Sequence, residues 1–490
     1  MSVQETTEPG GDPGTAAASP SSMTEEATGG RRSRIPFRTT KPERITYGIY
    51  FFGQLVFYGL VTGFQQLYMT EIGISATVVG GIFIVVKIWD AINDPLFGVI
   101  VDKAHLKSGK FIPWVRMSSF LIPVATIFLF SAPLDASIQV KAIWATVGYV
   151  LWDAAYTICD VPALALATSM TDEPKERNWL YLLNRLFMLV GVIAVGVIVP
   201  LMYPSIGWSA TAVIVSLLAM VTMVPLGFKA KERYFEHAEK EAGSEAGIGA
   251  LIRYIGKNKY LLIFNGTLIL ACLSNTVGVV GNYVAIYCLG DAKWIAILSL
   301  VTAIPTLLCV PIVNGLIKKY DKFTVFVVSQ LGSGLLCWVM YMVGYENLGA
   351  FLSVTMLRAV FGGATSIMLV MFTADCAEYG HFTTGERAQG MAFSIQTLTS
   401  KITGGLPRAI GMFLLGAVGF VSGSGAEQSA GTIGWIWNMY TWMPLVAATP
   451  ALILVLVFYK LRDHDVELMM RANSGEITRE EAQAQFSRAF

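Results

Sequence analysis

Apolar residues in this chain come in long blocks, with polar residues confined to short stretches between them. Runs of about 20 apolar residues, the length that crosses the hydrocarbon of a bilayer, lie near residues 45–69, 76–101, 112–132, 140–168, 179–203 and 207–229. A second set lies near 258–288, 292–317, 323–344, 347–374, 390–421 and 434–460. The pattern predicts an all-α integral membrane fold of twelve transmembrane helices in two groups of six. It divides the chain into an N-terminal tail (1–43), a first half (44–229), a central loop (230–256), a second half (257–460) and a C-terminal tail (461–490).

Residues 1–43 are rich in Gly, Pro, Ser, Thr and Glu and carry no apolar block, so this tail is expected to be disordered. No signal-peptide core precedes Ile45. The last tail is polar and expected to be solvated, with a helical pattern in ITREEAQAQF. The two halves echo each other: GVIVDKAHLKSGKF follows the second block and GLIKKYDKF follows the eighth. Such duplication is characteristic of parallel-repeat transporters. Lys and Arg gather before the first block and in these basic turns and the central loop, whereas the alternate connections are nearly free of them. Both termini and the central loop are therefore expected on the cytoplasmic side of the cell membrane.

Composition agrees. Hydrophobic residues make up 54% and charged residues 14% of the 490, against about 25% charged in soluble domains. Lys plus Arg (35) nearly cancels Asp plus Glu (34), which gives no reason to expect a nucleic-acid partner. The six cysteines are scattered without metal-ligand spacing and read as small packing residues. His105, His237, His381 and His464 all fall in segments read as cytoplasmic, so no nucleophile–base or histidine metal constellation suggests an enzyme.

The chemistry lies in the exceptions inside the blocks. KIWDAINDP places Lys87, Asp90, Asn93 and Asp94 between apolar runs. Asp90 and Asp94, four residues apart, share a helix face. YTICDVP brings Thr157 and Asp160 onto one face of the fourth block, followed by Pro162, which frees a backbone carbonyl. Ionisable groups at this depth are expensive and mark an ion or substrate path. Three carboxylates, an amide and a hydroxyl offer the hard oxygens an alkali cation takes. Arg185 in the fifth block and Lys401 in the eleventh are two further deep cations, and a polar cavity shared with the acids is expected.

These motifs, in the order KIWDAINDPLFGVIVD…GKFIPW, YTICDVP, DEPKERNWL and AEYG…ERAQGMAFSIQTLTSK, resemble the glycoside–pentoside–hexuronide:cation symporters over residues 44–460. That family is the melibiose permease branch of the major facilitator superfamily. The resemblance implies alternating access between two halves, and a cation site formed by Asp90, Asn93, Asp94, Thr157 and Asp160. It further implies a sugar site at Gln54, Leu55, Tyr156, Asp160, Leu164, Arg185, Ser366, Gln396, Thr397 and Lys401. Melibiose permease has an aspartate at the position of Leu55 and tryptophans at those of Leu164 and Ser366, so melibiose is not the expected cargo.

The expected function is thus sodium-coupled symport of a glycoside, pentoside or hexuronide by a monomer in the lipid bilayer. A proton or lithium in place of sodium, or a lysolipid-like cargo, are the alternatives. Asn93 adds a neutral oxygen that a proton site does not need, which favours sodium. Asp160 is expected to couple ion and sugar. Counting Asp90, Asp94 and Asp160 against Lys87, Arg185 and Lys401 gives zero, so one sodium leaves a positive charge that an acidic sugar would neutralise.

Overall fold

A computed structural model describes residues 37–104, 109–234, 254, 256–385 and 388–487. The first half comprises α1 (Lys41–Glu71), α2 (Ala76–Lys103), α3 (Ile112–Leu129), α4 (Ile138–Met170), α5 (Pro174–Ile206) and α6 (Trp208–Lys229). The second comprises α7 (Lys259–Cys288), α8 (Lys293–Ile317), α9 (Lys322–Val343), α10 (Leu348–Thr384), α11 (Gln389–Ala417) and α12 (Ala430–Phe458). Two short helices follow, α13 (Asp463–Asn473) and α14 (Arg479–Ala484). Among the described residues, eleven helices are long and apolar enough to span a bilayer. The twelfth, α11, has the length, but Gln396, Thr399, Ser400, Lys401, Thr403 and Arg408 interrupt its apolar character.

Local chemistry sets the ends. Thr40 and Glu43 form a reciprocal capping box at the start of α1, and Ser75, Ser137 and Ser429 cap α2, α4 and α12. α7 is not one continuous α-helix: a 3-10 turn at Cys272–Thr276 and a π turn at Val284–Cys288 interrupt it. Such departures from the i→i+4 ladder accompany hinges.

Each half packs on itself, α1 against α5 and α6, and α10 against α8 and α9. The halves meet along three pairs: α2 with α11, α5 with α8, and α1 with α7. At the end of the bundle away from Phe37 and Tyr459, the far end, one apolar core runs through both halves. Tyr283 there bonds to Thr70 Oγ1 (3.1 Å) and to the Gln66 carbonyl (3.2 Å). Asn282 donates to the Gly63 carbonyl at 2.7 Å. A Cβ on Gly80 would meet the Ala409 carbonyl at 3.0 Å, so glycine permits this close approach of α2 and α11. At the opposite, tail end the second half has a separate core around Phe372 and Tyr459, while the tail end of the first half stays part of the large core through Tyr47, Phe111 and Met170, beside a small cluster of Phe97 and Trp114. No hydrogen bond joins the halves there among the described residues. Among the described residues, the hydrogen bonds and the ion pair between the halves thus lie at the midplane and toward the far end.

The tail end corrects two expectations. Residues 37–43 are ordered: Glu176 accepts from the amides of Arg38 (2.9 Å) and Thr39 (3.0 Å), and Arg233 pairs with Glu43 at 2.8 Å. Residues 1–36 lie outside the description, as do 235–253 of the central loop. The C-terminal tail is docked rather than solvated. α13 buries Val466, Leu468 and Met469, and Asn473 donates to Glu378 at 3.0 Å. Lys322 ties Asp375 (2.6 Å) to Asp463 (3.3 Å). The helix expected in ITREEAQAQF is α14, with a Thr478–Glu481 capping box.

On the first half, residues 231–234 act as a strap. α3 begins at Phe111 without a side-chain cap of its own; instead Glu232 accepts from the amides of Lys110 (2.9 Å), Phe111 (2.8 Å) and Ile112 (2.6 Å). A carboxylate there satisfies orphan donors and faces the positive end of the helix dipole. Glu232→Ala should therefore cost about 1–2 kcal/mol and lower the unfolding midpoint in detergent, with Glu232→Gln intermediate. Unfolding of both variants with the wild type would remove the strap from the stability of this half.

Candidate functional site

The site is built where α1, α2, α4 and α11 approach one another between the two ends. α2 supplies Lys87, Asp90, Asn93 and Asp94 within two turns, immediately before Pro95, which lies inside the helix. α4 supplies Thr157 and Asp160, again just before an internal proline, Pro162. A proline donates no amide hydrogen, so each helix keeps an unpaired carbonyl beside its polar residues.

Three of the expected cation ligands form one knot. Asn93 Nδ2 donates to Thr157 Oγ1 at 2.8 Å, and Thr157 lies 3.2 Å from Asp94 Oδ1. Thr157 also reaches the carbonyl of Asp153 at 3.1 Å. The other two ligands are held separately. Asp90 pairs with Lys87 at 2.7 Å, which places Lys87 as the expected charge partner, and Asp160 accepts from Gln54 Nε2 at 2.9 Å. Among the described residues, no three His, Cys, Asp or Glu side chains come together as a metal cluster. The oxygens of the knot nonetheless suit a hard monovalent cation, and rotation of the Asn93 amide would turn its oxygen toward the same point.

Lys401 of α11 forms an ion pair with Asp94 across the interface between the halves. Its ammonium thus occupies one side of the knot as a cation supplied by the protein. Two turns further along α11, Arg408 donates to Tyr149 OH (3.2 Å), the Val61 carbonyl (3.2 Å) and Gln66 Oε1 (3.3 Å). Its guanidinium lies 4.5 Å from the centre of the Phe83 ring.

The expected sugar positions scatter more widely. Tyr156 stacks on Trp152 (5.1 Å between centroids) and lies 5.4 Å from Tyr58, whose ring is 43% exposed. Arg185 is exposed on α5 with no ion-pair partner among the described residues. Thr397 and Ser366 spend their hydroxyls on the carbonyls of Phe393 and Gly362 in their own helices. Gln396 is half-buried and Leu164 exposed. Leu55 is buried, with its Cβ facing Gly191 of α5.

Sequence reading missed Asp153, Arg408 and Tyr58. Asp153 precedes Thr157 by four residues and Asp160 by seven, on one face of α4, and that spacing was a usable signal. Its carboxylate interacts electrostatically with Asp90, Asp94, Lys87 and Lys401, and its Oδ2 is buried without a partner. Arg408 likewise follows Lys401 by seven residues, and Tyr58 follows Gln54 by four. With all five groups ionised, Asp90, Asp94 and Asp153 against Lys87 and Lys401 would leave one negative charge in excess at the knot, which a single cation would balance.

Residues 46–463 match the family described as MFS/sugar transport protein. The chain is 26% identical to the isoprimeverose transporter of Lactiplantibacillus pentosus, over 86% of this chain and 88% of that protein. It is 24% identical to the glucuronide carrier protein homolog of Escherichia coli strain K12, over 73% and 80%. Among solved structures it resembles a bacterial homolog of the human lysosomal transporter Spinster in an inward-facing, unoccupied conformation. There the TM-score is 0.61 at 12% identity, over 92% of this chain and all of that one. Twelve helices in two halves, a polar site between them and this match over most of the chain place the protein in the MFS/sugar transport family of multi-pass membrane carriers, a family of secondary active sugar transporters and not of enzymes.

Proposed function

We propose that this carrier couples sodium to the import of a glycoside, with the tail end of the bundle on the cytoplasmic side. The observation that carries the reading is the Asp94–Lys401 pair joining the halves at a knot of Asn93, Asp94 and Thr157. A sodium ion entering the knot competes with Lys401 for Asp94 and adds the one positive charge that an ionised Asp153 leaves unbalanced there. Lys401 is then released from α2 to meet a sugar hydroxyl or carboxylate. Ion binding thereby alters the contact between the halves, and an effect of the ion on the sugar must be returned by the sugar on the ion. Asp160, held by Gln54 beside Tyr156, is the group of α4 placed to feel both. Tyr58 and Tyr156 offer an aromatic wall to the apolar face of a sugar ring.

Asp153 alters the charge argument for the cargo. With its carboxylate in the count, one sodium balances the knot and a neutral glycoside adds no uncompensated charge. A second reading, transport of a hexuronide, is favoured by Arg185, which is exposed and unpaired among the described residues. Its planar guanidinium would hold a carboxylate by two parallel hydrogen bonds. The similar proteins include, by name, an isoprimeverose transporter and a homolog of a glucuronide carrier, and both kinds of cargo lie within the proposal.

The orientation rests on the positive-inside distribution of Lys and Arg. A single cysteine in the 422–431 loop, in a background lacking the six native cysteines, should be labelled by an impermeant reagent outside intact cells, and one at position 239 should not. The reverse pattern would invert the proposed direction.

In proteoliposomes, an inward sodium gradient should drive uptake, and Asp94→Asn should abolish the stimulation while leaving sugar binding measurable. In detergent, the double variant Asp94→Asn/Lys401→Gln should unfold at a higher temperature than either single variant. Each single change strands a charge, and at this partial exposure the coupling is about 1 kcal/mol. Uptake that follows only a pH gradient and ignores sodium would replace the ion assignment with proton coupling through the same acids.

Cargo charge is read from competition by matched glucosides and glucuronides. The neutral member should compete better in the wild type. Asp153→Asn, which removes one negative charge beside the knot, should shift the preference toward the glucuronide by about tenfold if the charges interact by about 1.4 kcal/mol. An unchanged ratio in that variant would remove Asp153 from cargo selection. Better competition by the glucuronide in the wild type, lost in Arg185→Gln, would establish the hexuronide reading.

A further inference from the structure

The basic turn GLIKKYDKF, which the transport site does not use, connects α8 to α9 at the tail end. Together with the start of α13 it borders an open surface cavity of about 500 Å³. Its wall includes Lys318, Lys319, Tyr320, Thr324, Arg462 and His464, none of which belongs to the transport site.

Two acids share the wall, and both are already occupied. Asp321 accepts from the amides of Phe323 (3.1 Å) and Asp463 (2.8 Å), capping α9 and meeting the first residue of α13. Asp463 accepts from the amide of Lys322 at 2.9 Å and pairs with its ammonium at 3.3 Å. Arg462 lies over the Phe323 ring at 3.6 Å and donates to the carbonyl of Leu461 at 2.8 Å, so it contributes charge while staying fixed in place. Lys318 and Lys319 form no ion pair with a described acid. The cavity thus presents two uncommitted ammonium groups, a fixed guanidinium and the hydroxyl of Thr324. This set suits an anion with several acceptor oxygens, and a phosphate in particular.

The surroundings indicate what carries that phosphate. Thr324 begins a stripe on the outer face of α9 that continues through Val328, Leu331 and Leu335, at helical spacings of four, three and four. All three apolar residues are more than half exposed on a membrane-spanning helix. Leu316 and Tyr320 extend the uncovered apolar surface on the α8 side of the opening. The polar cavity therefore lies at the membrane-surface end of an apolar track parallel to the acyl chains.

We propose that this cavity binds the phosphate headgroup of an anionic phospholipid, with an acyl chain lying along Thr324, Val328, Leu331 and Leu335. A bound headgroup would join the α8–α9 turn to α13, and so hold the C-terminal strap against the second half.

The test uses the full chain in phosphatidylcholine nanodiscs with a rising fraction of phosphatidylglycerol, read by thermal unfolding and by native mass spectrometry of retained lipid. The wild type should gain stability with phosphatidylglycerol and carry it as an adduct. Lys318→Gln/Lys319→Gln should bind it about tenfold more weakly, since each lysine near an anionic surface contributes roughly a fivefold effect before losses to flexibility. Lys257→Gln/Lys259→Gln removes equal charge at the same end but outside the cavity, and should behave as the wild type. Inorganic phosphate at matched concentration should produce no shift. Equal loss in the two double variants would show general surface attraction and overturn the site. A full shift with inorganic phosphate would assign the cavity to a soluble anion and overturn the lipid.

Discussion

A carboxylate inside a membrane needs a partner, and the way this chain supplies partners organises the rest of its structure. Asp90 finds Lys87 one turn away on its own helix. Asp94 finds Lys401 only on the other half. Among the described residues that is the one ion pair joining the halves, and it explains why α11, of the twelve long helices, is the one that falls short of the apolar character of a membrane span. α11 carries a cation for α2 and, two turns on, Arg408 for α1 and α4. The α2–α11 seam is close enough for these grips because glycine stands where the helices touch: Gly80 beside the Ala409 carbonyl, Gly405 beside the stem of Lys87 and Gly416 beside Thr77.

The straps follow the same division into halves. Glu232 and Arg233 bind α3 and α1, while the tail beyond Tyr459 binds α9 and α10, and neither strap joins one half to the other among the described residues. Each fastens helix ends within its own half. The surfaces that must meet when the tail end closes are therefore not tied by either strap. Straps that stay within one half are compatible with the proposed rocking of the halves between two conformations. The shared core at the far end and the broken α7 beside it are the parts that must rearrange.

Most of this architecture was legible because membrane spans are written in long runs rather than in subtle periodicities. All twelve expected blocks correspond to helices, with ends displaced by up to about five residues except that α10 runs ten residues past its block, to Thr384. The Asp90, Asn93, Asp94 and Thr157 constellation was legible because ionisable residues in an apolar block have few structural explanations. Asp153 was harder to see. It follows Trp152 and precedes two alanines, and it stands out only when Thr157 and Asp160 are used to define the face. The docking of the C-terminal tail was not legible, since α13 offers few apolar residues and its anchoring depends on Lys322 and Asp375, distant in sequence.

The two grips of α11 differ in kind, and the difference bears on how a coupled carrier avoids leaking its ion. Lys401 holds a carboxylate, for which a sodium ion can compete. Arg408 holds a carbonyl, an amide oxygen and a phenol, and no cation in the knot competes for those acceptors. In the proposed cycle, sodium alone therefore loosens the midplane while leaving the far end shut. Opening the far end requires breaking hydrogen bonds from a charged donor to neutral acceptors, worth about 1.5–3 kcal/mol each, together with the aromatic contact to Phe83. That energy has to come from contacts formed in the other conformation. A sugar bridging Tyr156 and Asp160 on the first half to a freed Lys401 on the second would supply them. Coupling, in this view, is a consequence of placing an exchangeable cation and a non-exchangeable one on the same face of one helix.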